Sequence, residues 1–525
     1  MSADGAIDHK STSAQQEEQP TPDAPALNSL EGWRFRLLIV ISLTFVVLTD
    51  WLFWDCARGW TVGAYGLLLT GTLLIWGRAF SRSRATLLVT LALAVLCLQC
   101  VEEPNLLAVV YGVFGLATLS ILAHDGWSAS AVTWVQRWAL WAAMGWQMLF
   151  WDVASWHRRR HTSSDRVSPG MRVLRNWLIP ILLGAVFLAL FAVANPVMSK
   201  WLGDAWREVH RLFRQLTERF PSGWRIVQWA LVTLAVWALL RFRLGTRAAS
   251  PGKGSPVDAT WAGHPKPSLV VRCLVLFNLL FAVETGLDLY YLWGGGTLPN
   301  GLTYAQYAHR GAYPLIAAAI LAALFVLAAF RSDPREKSLR VCRGLVYVWL
   351  IQTLFLVVSA GWRLRLYVDV YTLTRLRVAA AIWMLLVFCG ILWILVRIVA
   401  GRSNLWLINI NTITALLVLF VCCFVNFDGL IARHNVLHCR EMRGDGPRLD
   451  VAYLESLGPD TLPALMQLVG KTRDSSNAPR VQDAIERLRA DLEADLSSWH
   501  GWTWRRQRLL RLDFPTTETG PSVQR

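Results

Sequence analysis

Long apolar runs separated by short polar links fill the chain as far as residue 425, after which the pattern turns polar. The runs cover residues 35–54, 61–76, 87–101, 106–123, 134–151, 177–194, 224–240, 268–293, 311–330, 341–361, 378–399 and 405–424. Most come close to the ~20 residues that a helix needs to cross a hydrocarbon layer. The pattern predicts an all-α, polytopic integral membrane protein with about 12 transmembrane helices and a small helical C-terminal region. Residues 201–220 differ. There Trp201, Leu202, Ala205, Val209, Leu212, Phe213 and Leu216 recur every three or four positions, with arginines between them. That period predicts an amphipathic helix lying in the interface plane. Near the C-terminus, Val481, Ile485, Leu488, Leu492 and Leu496 predict a second amphipathic helix over 479–496, followed by Trp499, Trp502 and Trp504. A basic cluster then follows, with Arg505, Arg506, Arg508 and Arg511, and this piece is expected to dock on the membrane surface. The division expected is a disordered polar tail (1–30), an N-terminal transmembrane bundle (31–245) and a Gly- and Pro-rich linker (246–267). A core transmembrane domain (268–425) and an extramembrane helical region (426–525) complete it.

Composition agrees with this reading. Of 525 residues, 54% are hydrophobic and 17% charged, against about 25% charged in soluble domains. The 28 tryptophans suit a side chain that gathers at membrane–water interfaces. A net charge of +16 suggests nucleic acid at first sight. The basic residues, however, sit mostly in short links between apolar runs, so no nucleic-acid partner is expected. The basic links at 81–85, 158–175, 241–267, 331–340 and 397–403 mark the cytoplasmic side, and the tail before residue 30 is placed there too. The last four links alternate consistently with the runs between them. The first does not, because three runs separate it from Arg158; either the run near 127–151 does not cross simply or the charge rule misleads there. The side of the C-terminal region is left open, since twelve simple crossings put it inside and the later links put it outside. Seven of the nine cysteines lie in or beside apolar runs and offer no disulfide framework.

Charge inside the runs supplies the candidate chemistry. Glu284 and Asp288, four apart, share one side of a helix. Acids within a membrane segment face a bundle interior or an aqueous path, so Glu284 is expected to face protein or trapped water. Its expected partners are Tyr290, Tyr291 or an arginine from residues 362–377. That stretch reads as a connector between two runs and carries Arg363, Arg365, Asp369, Arg375 and Arg377. These arginines suit an anionic lipid headgroup or a hold on the segment from Asn426 to Asn435. His157 with His161, and His434 with His438 and Cys439, imitate metal ligands, but neither group completes a ligand set, and no metal is expected. No phosphate-binding loop, dinucleotide fingerprint, nucleophile elbow or kinase signature occurs, so no cofactor and no catalytic residue is assigned.

A series of residues in fixed order adds to this. It includes Asp288 to Tyr291, Leu298-Pro299, Tyr304, Tyr307 and His309-Arg310-Gly311. It continues with Arg365-Leu366-Tyr367, Tyr371, Leu373-Thr374-Arg375, Asn426, Asp428, Ile431-Ala432-Arg433, Asn435, Asp450, Tyr453-Leu454 and Asp460 to Leu465. The series resembles a bacterial family of multi-pass membrane proteins known as domain of unknown function 4173, related to the 4153 set. The chain departs from that family at Thr372, where many relatives have glycine, at Phe427, where they have proline, and at His434, where they have tyrosine. The resemblance implies a bacterial inner-membrane location and no settled activity. The two readings together nominate a polar or ligand site of Glu284, Asp288, Arg365, Asp369, Arg375, Asn426, Asp428, Arg433 and Asn435.

Three functions fit. The expectation is a non-enzymatic membrane scaffold or signalling partner, with membrane lipids and a membrane or signalling protein as its partners. The alternatives are a transporter or channel-like protein with Glu284 and Asp288 on a polar path, and a membrane enzyme acting on a lipid-linked substrate.

Overall fold

The structure, a computed structural model, describes residues 32–76, 83–160, 222–241, 267–294, 338–469 and 478–512, with isolated positions between 188 and 211. Every element among them is helical. The polar tail, the linker, the loop around 298–311 and the runs at 177–194 and 311–330 fall outside the described residues, as does the helix expected over 201–220, isolated positions apart. Among the described residues eight helices are long and apolar enough to cross a membrane.

The first group is α1 (Gly32–Phe53), α2 (Thr61–Trp76), α3 (Arg84–Glu102), α4 (Leu106–Asp125), α5 (Ala131–Met144), α6 (Gln147–Arg160) and α7 (Gly223–Arg241). Its core gathers Phe35, Leu38, Leu93, Leu119, Ile121 and Trp237. Pro104 cannot continue α3, and Asn105 caps α4 by accepting a hydrogen bond from the Ala108 amide at 2.7 Å. α2 has 16 residues and is a short apolar helix rather than one of the eight. It lies close on α3 because Gly63 leaves room; a Cβ there would sit 2.2 Å from the Cys97 carbonyl oxygen.

The run at 134–151 is not one span. It breaks at Gly145 and Trp146 into α5 and α6, each of 14 residues. At the start of α5, buried Arg137 reaches back to donate to the Gly126 carbonyl at 2.9 Å. In α6, Asp152 is held by Arg241 at 2.9 Å and by the Trp237 indole at 3.1 Å. The Ala131 amide donates to Asn409, and Trp156 stacks on Phe35 at 5.3 Å. The pair therefore starts and finishes at the end of the bundle that holds Phe35 and Arg241, and adds no crossing.

The second group is α8 (Pro267–Leu287), extended by a π-helical turn (Asp288–Trp293), with α9 (Ser338–Tyr371), α10 (Arg375–Ala400) and α11 (Asn404–Cys422). α8 and α9 run parallel: Asn278 donates to the Leu345 carbonyl at 3.0 Å near one end, and Glu284 meets Arg363 toward the other. α9 has 34 residues, so it is roughly 50 Å long and outreaches a hydrocarbon layer of about 30 Å. Residues 362–371 are thus not a separate connector but the far end of α9. The turn that follows puts Thr372 at φ +66°, left-handed backbone that a β-branched side chain resists. The resemblance places glycine here, and this is its physical reason. Thr372→Gly should raise stability by about 1 kcal/mol, read as a higher melting temperature of the purified protein.

Beyond Asn426 come α12 (Phe427–His438), α13 (Arg440–Arg443), α14 (Val451–Ser456), α15 (Leu462–Val469), α16 (Ala478–Leu496) and α17 (Trp504–Leu510). They close on their own core, with Ile431, Leu454, Leu462, Leu465, Leu488 and Leu492 fully or nearly fully buried. The α16 stripe expected from sequence faces inward, Leu496 being only partly buried. Trp51 at the end of α1 packs on Trp499 and His500. The start of α1 and this C-terminal region accordingly lie at opposite ends of the bundle.

Candidate functional site

Glu284 and Asp288 meet on one guanidinium. Arg363 of α9 is 1% exposed and Asp288 fully buried. Arg363 pairs with Asp288 directly and reaches Glu284 at 3.2 Å, the Glu284 side chain remaining 34% exposed. Asp288 opens the π-helical turn, a rare geometry that occurs mostly as a single turn within an α-helix. Trp293 ends it, donating to the Ser359 hydroxyl at 3.1 Å and stacking on Trp362 at 5.5 Å. Glu284 lies about 25 Å along α8 from its first residue, so the cluster sits toward the far interface rather than at mid-membrane. Its chemistry is that of a tie between helices: a charge-assisted hydrogen-bond cluster closed to water on the Asp288 side.

The remaining nominated residues divide. Arg375 binds Asp428 bidentately, at 2.6 and 2.8 Å, and the Arg375 amide donates to the Tyr453 hydroxyl at 2.9 Å. Asn435, 3% exposed, grips the backbone of Leu373 by accepting from its amide at 2.7 Å and donating to its carbonyl at 2.9 Å. Asn426 caps α12 through the Gly429 amide. Arg365 lies exposed over the Trp362 ring, and Asp369 and Arg433 are also exposed; none of the three joins the Glu284 cluster. His434 and His438 stack at 4.3 Å. Burial and His438 hold His434 below the usual histidine range, Asp369 opposing. No group of three metal ligands occurs among the described residues.

The basic cluster after Trp504 meets protein carboxylates. Arg506 pairs with Glu103 at 2.9 Å, Thr503 donates to Glu103 at 2.7 Å, and Arg508 pairs with Glu102. Arg505 bridges Glu102 and Asp460. The Trp60 amide and indole donate to the carbonyls of Trp502 and Trp499. Gly59 makes that approach possible, since a Cβ there would lie 2.4 Å from the Trp502 carbonyl oxygen.

A cavity of about 310 Å³ lies where these parts converge. One wall is the α3–α4 turn with Glu103, Asn105 and Leu107. A second is the end of α11 and start of α12, with Cys422, Val425, Asn426, Phe427 and Asp428. The C-terminal region supplies Leu457, Asp460, Arg505, Arg506 and Leu509. Burial raises both Glu103 and Asp460 above the usual carboxylate range, against the pull of Arg506 on the first and Arg505 on the second. A carboxyl raised on folding binds its proton more tightly in the docked state. The stability it contributes is whole below its ordinary value, 4.5 for Glu103 and 3.8 for Asp460, and is lost as pH rises through the raised one. Amide exchange at the α3–α4 turn and at residues 501–506 should therefore slow, after correction for intrinsic rates, as pH falls from 7.5 toward 5.

The model of a family described as a domain of unknown function, DUF4153, matches residues 85–468. The chain belongs to this family. DUF4153 is the set related to the one the residue series first suggested, and the match to it runs from α3 through α15. It takes in the first membrane group from α3 onward, the whole second group, the Arg363 tie, and every cavity-lining residue except Arg505, Arg506 and Leu509. No curated protein and no solved structure matches this DUF4153 chain. Sequence reasoning placed Asn426 and Asp428 at a site but missed Glu103 and Arg506 as its neighbours. The available signal was complementary charge, Glu102-Glu103 at one helix end and four arginines near the C-terminus.

Proposed function

We propose that this protein is a non-enzymatic membrane scaffold that holds a helical platform at one membrane face for a membrane or signalling partner. One observation carries the reading: the C-terminal region is tied to both membrane groups at once, through Arg506–Glu103 on one side and Arg375–Asp428 with Asn435–Leu373 on the other. Such ties hold a surface in place; they leave Arg375, Asp428 and Asn435 as joints rather than reacting groups. The Arg363 cluster fits the same role, fixing α8 against α9. The test is reconstitution of the purified protein into liposomes beside in-cell cross-linking from exposed positions of α12 and α16. A defined partner cross-linked at those positions, with no proton, potassium or anion flux, supports the scaffold. Flux that Glu284→Gln abolishes replaces it with the transporter.

The platform faces away from the cytoplasm of the cell membrane in this proposal, because basic links mark the end of the bundle opposite to it. Single cysteines introduced at Arg433 and at Arg34 should label from opposite sides with an impermeant maleimide. Labelling of both from the same side would overturn the arrangement.

A further inference from the structure

We infer that the cavity between the α3–α4 turn, the end of α11 and the C-terminal region binds a phosphoethanolamine group, the headgroup of an aminophospholipid. The inference concerns a ligand and stands whether or not a protein partner exists. Three features of the cavity carry it.

Level is the first. Its membrane-side walls are the turn that follows α3, the first turn of α4 and the end of α11, which places the cavity where helices leave the hydrocarbon and headgroups lie. Trp51, Trp60, Trp499 and Trp504 stand around the same end of the bundle, as interfacial aromatics do. Size is the second. At about 310 Å³ the space is at the small end of ligand pockets, which span about 300–1,000 Å³, and suits a headgroup rather than a whole lipid.

Chemistry is the third. Two guanidiniums, Arg505 and Arg506, share the lining with three carboxylates, Glu103, Asp428 and Asp460. A free anion meets an excess of negative charge there, and a bare cation meets the two arginines. A zwitterion satisfies both: its phosphate accepts from the guanidiniums, and its ammonium donates to the carboxylates. A primary ammonium brings three N–H donors, whereas a trimethylammonium has none, so ethanolamine is selected over choline. Leu107, Val425, Phe427 and Leu457 leave an apolar flank for the glycerol end.

The experiment uses the full chain in nanodiscs and reads melting by tryptophan fluorescence. Phosphatidylethanolamine mixed into phosphatidylcholine should raise the melting temperature by about 3 °C or more over phosphatidylcholine alone, as a ligand held by the folded state does. Val425→Trp fills the cavity without touching a charge, and should abolish the rise while the variant still melts cooperatively in phosphatidylcholine. Asp460→Asn should weaken the rise. Soluble phosphoethanolamine added to phosphatidylcholine discs separates the two sources of this group: a rise there that Val425→Trp removes assigns the site to a free metabolite, and no rise assigns it to the lipid. Equal melting in both lipids with no response to soluble phosphoethanolamine overturns the inference. So does a lipid effect that survives Val425→Trp.

Discussion

Arg363→Leu will destabilise the protein by about 3–5 kcal/mol, the range seen when one partner of a buried ion pair is removed. The substitution keeps apolar bulk on α9 and takes away the guanidinium that Asp288 and Glu284 share. Asp288 is fully buried, so its carboxylate cannot turn to water in exchange. The double variant Arg363→Leu with Asp288→Leu should recover most of the loss, because replacing both charges by apolar groups of similar size is close to neutral. Glu284→Gln should change stability by no more than about 1 kcal/mol, since the side chain is a third exposed and its pairing is screened. Melting of the four purified proteins in one detergent compares them directly. An Arg363→Leu variant that melts with the wild type would show that the cluster does not tie α8 to α9.

Asn435→Leu is the second large effect expected, about 1–3 kcal/mol for each of the two Leu373 backbone groups that it strips of a partner. Leucine keeps the branching of asparagine but is bulkier, so crowding at this buried position adds to the loss of the hydrogen bonds. The damage should be local. Amide exchange should quicken across residues 372–375 and along the first turn of α12, while α1 to α4 keep their protection. Asn435→Asp retains the acceptor for the Leu373 amide and gives up the donor to its carbonyl, so it should fall between wild type and Asn435→Leu. Unchanged exchange at the α9–α10 turn in Asn435→Leu would remove this residue from the joint.

Several features could be read from single stretches of sequence because their cause is local. Apolar length marks the eight candidate spans, since a helix must bury its own backbone to cross hydrocarbon. A stripe every three or four residues marks α16. Even the partner of Glu284 was within reach: an acid in an apolar helix requires a cation, and the stretch from Trp362 to Arg377 held the candidates, Arg363 among them. Hydropathy misled where a polar side chain decides by what it reaches. The run at 134–151 is apolar enough to span, yet Arg137 is tied to the Gly126 carbonyl where α5 begins, and the break at Gly145 brings Asp152 to Arg241. The stretch at 362–371 alternates like a loop, yet it continues α9 because Arg363 finds its carboxylates there.

By itself the sequence determined which segments are apolar, and that acids within them need a cation, because burial of a side chain and of its own backbone is a one-segment matter. Only the tertiary structure decided which cation that is, that α5 and α6 turn back, and that Glu103 and Arg506, about 400 positions apart, line one cavity with Asp460. Charge pairing between distant segments depends on distance in space, which falls off steeply in its effect and has no counterpart in spacing along the chain.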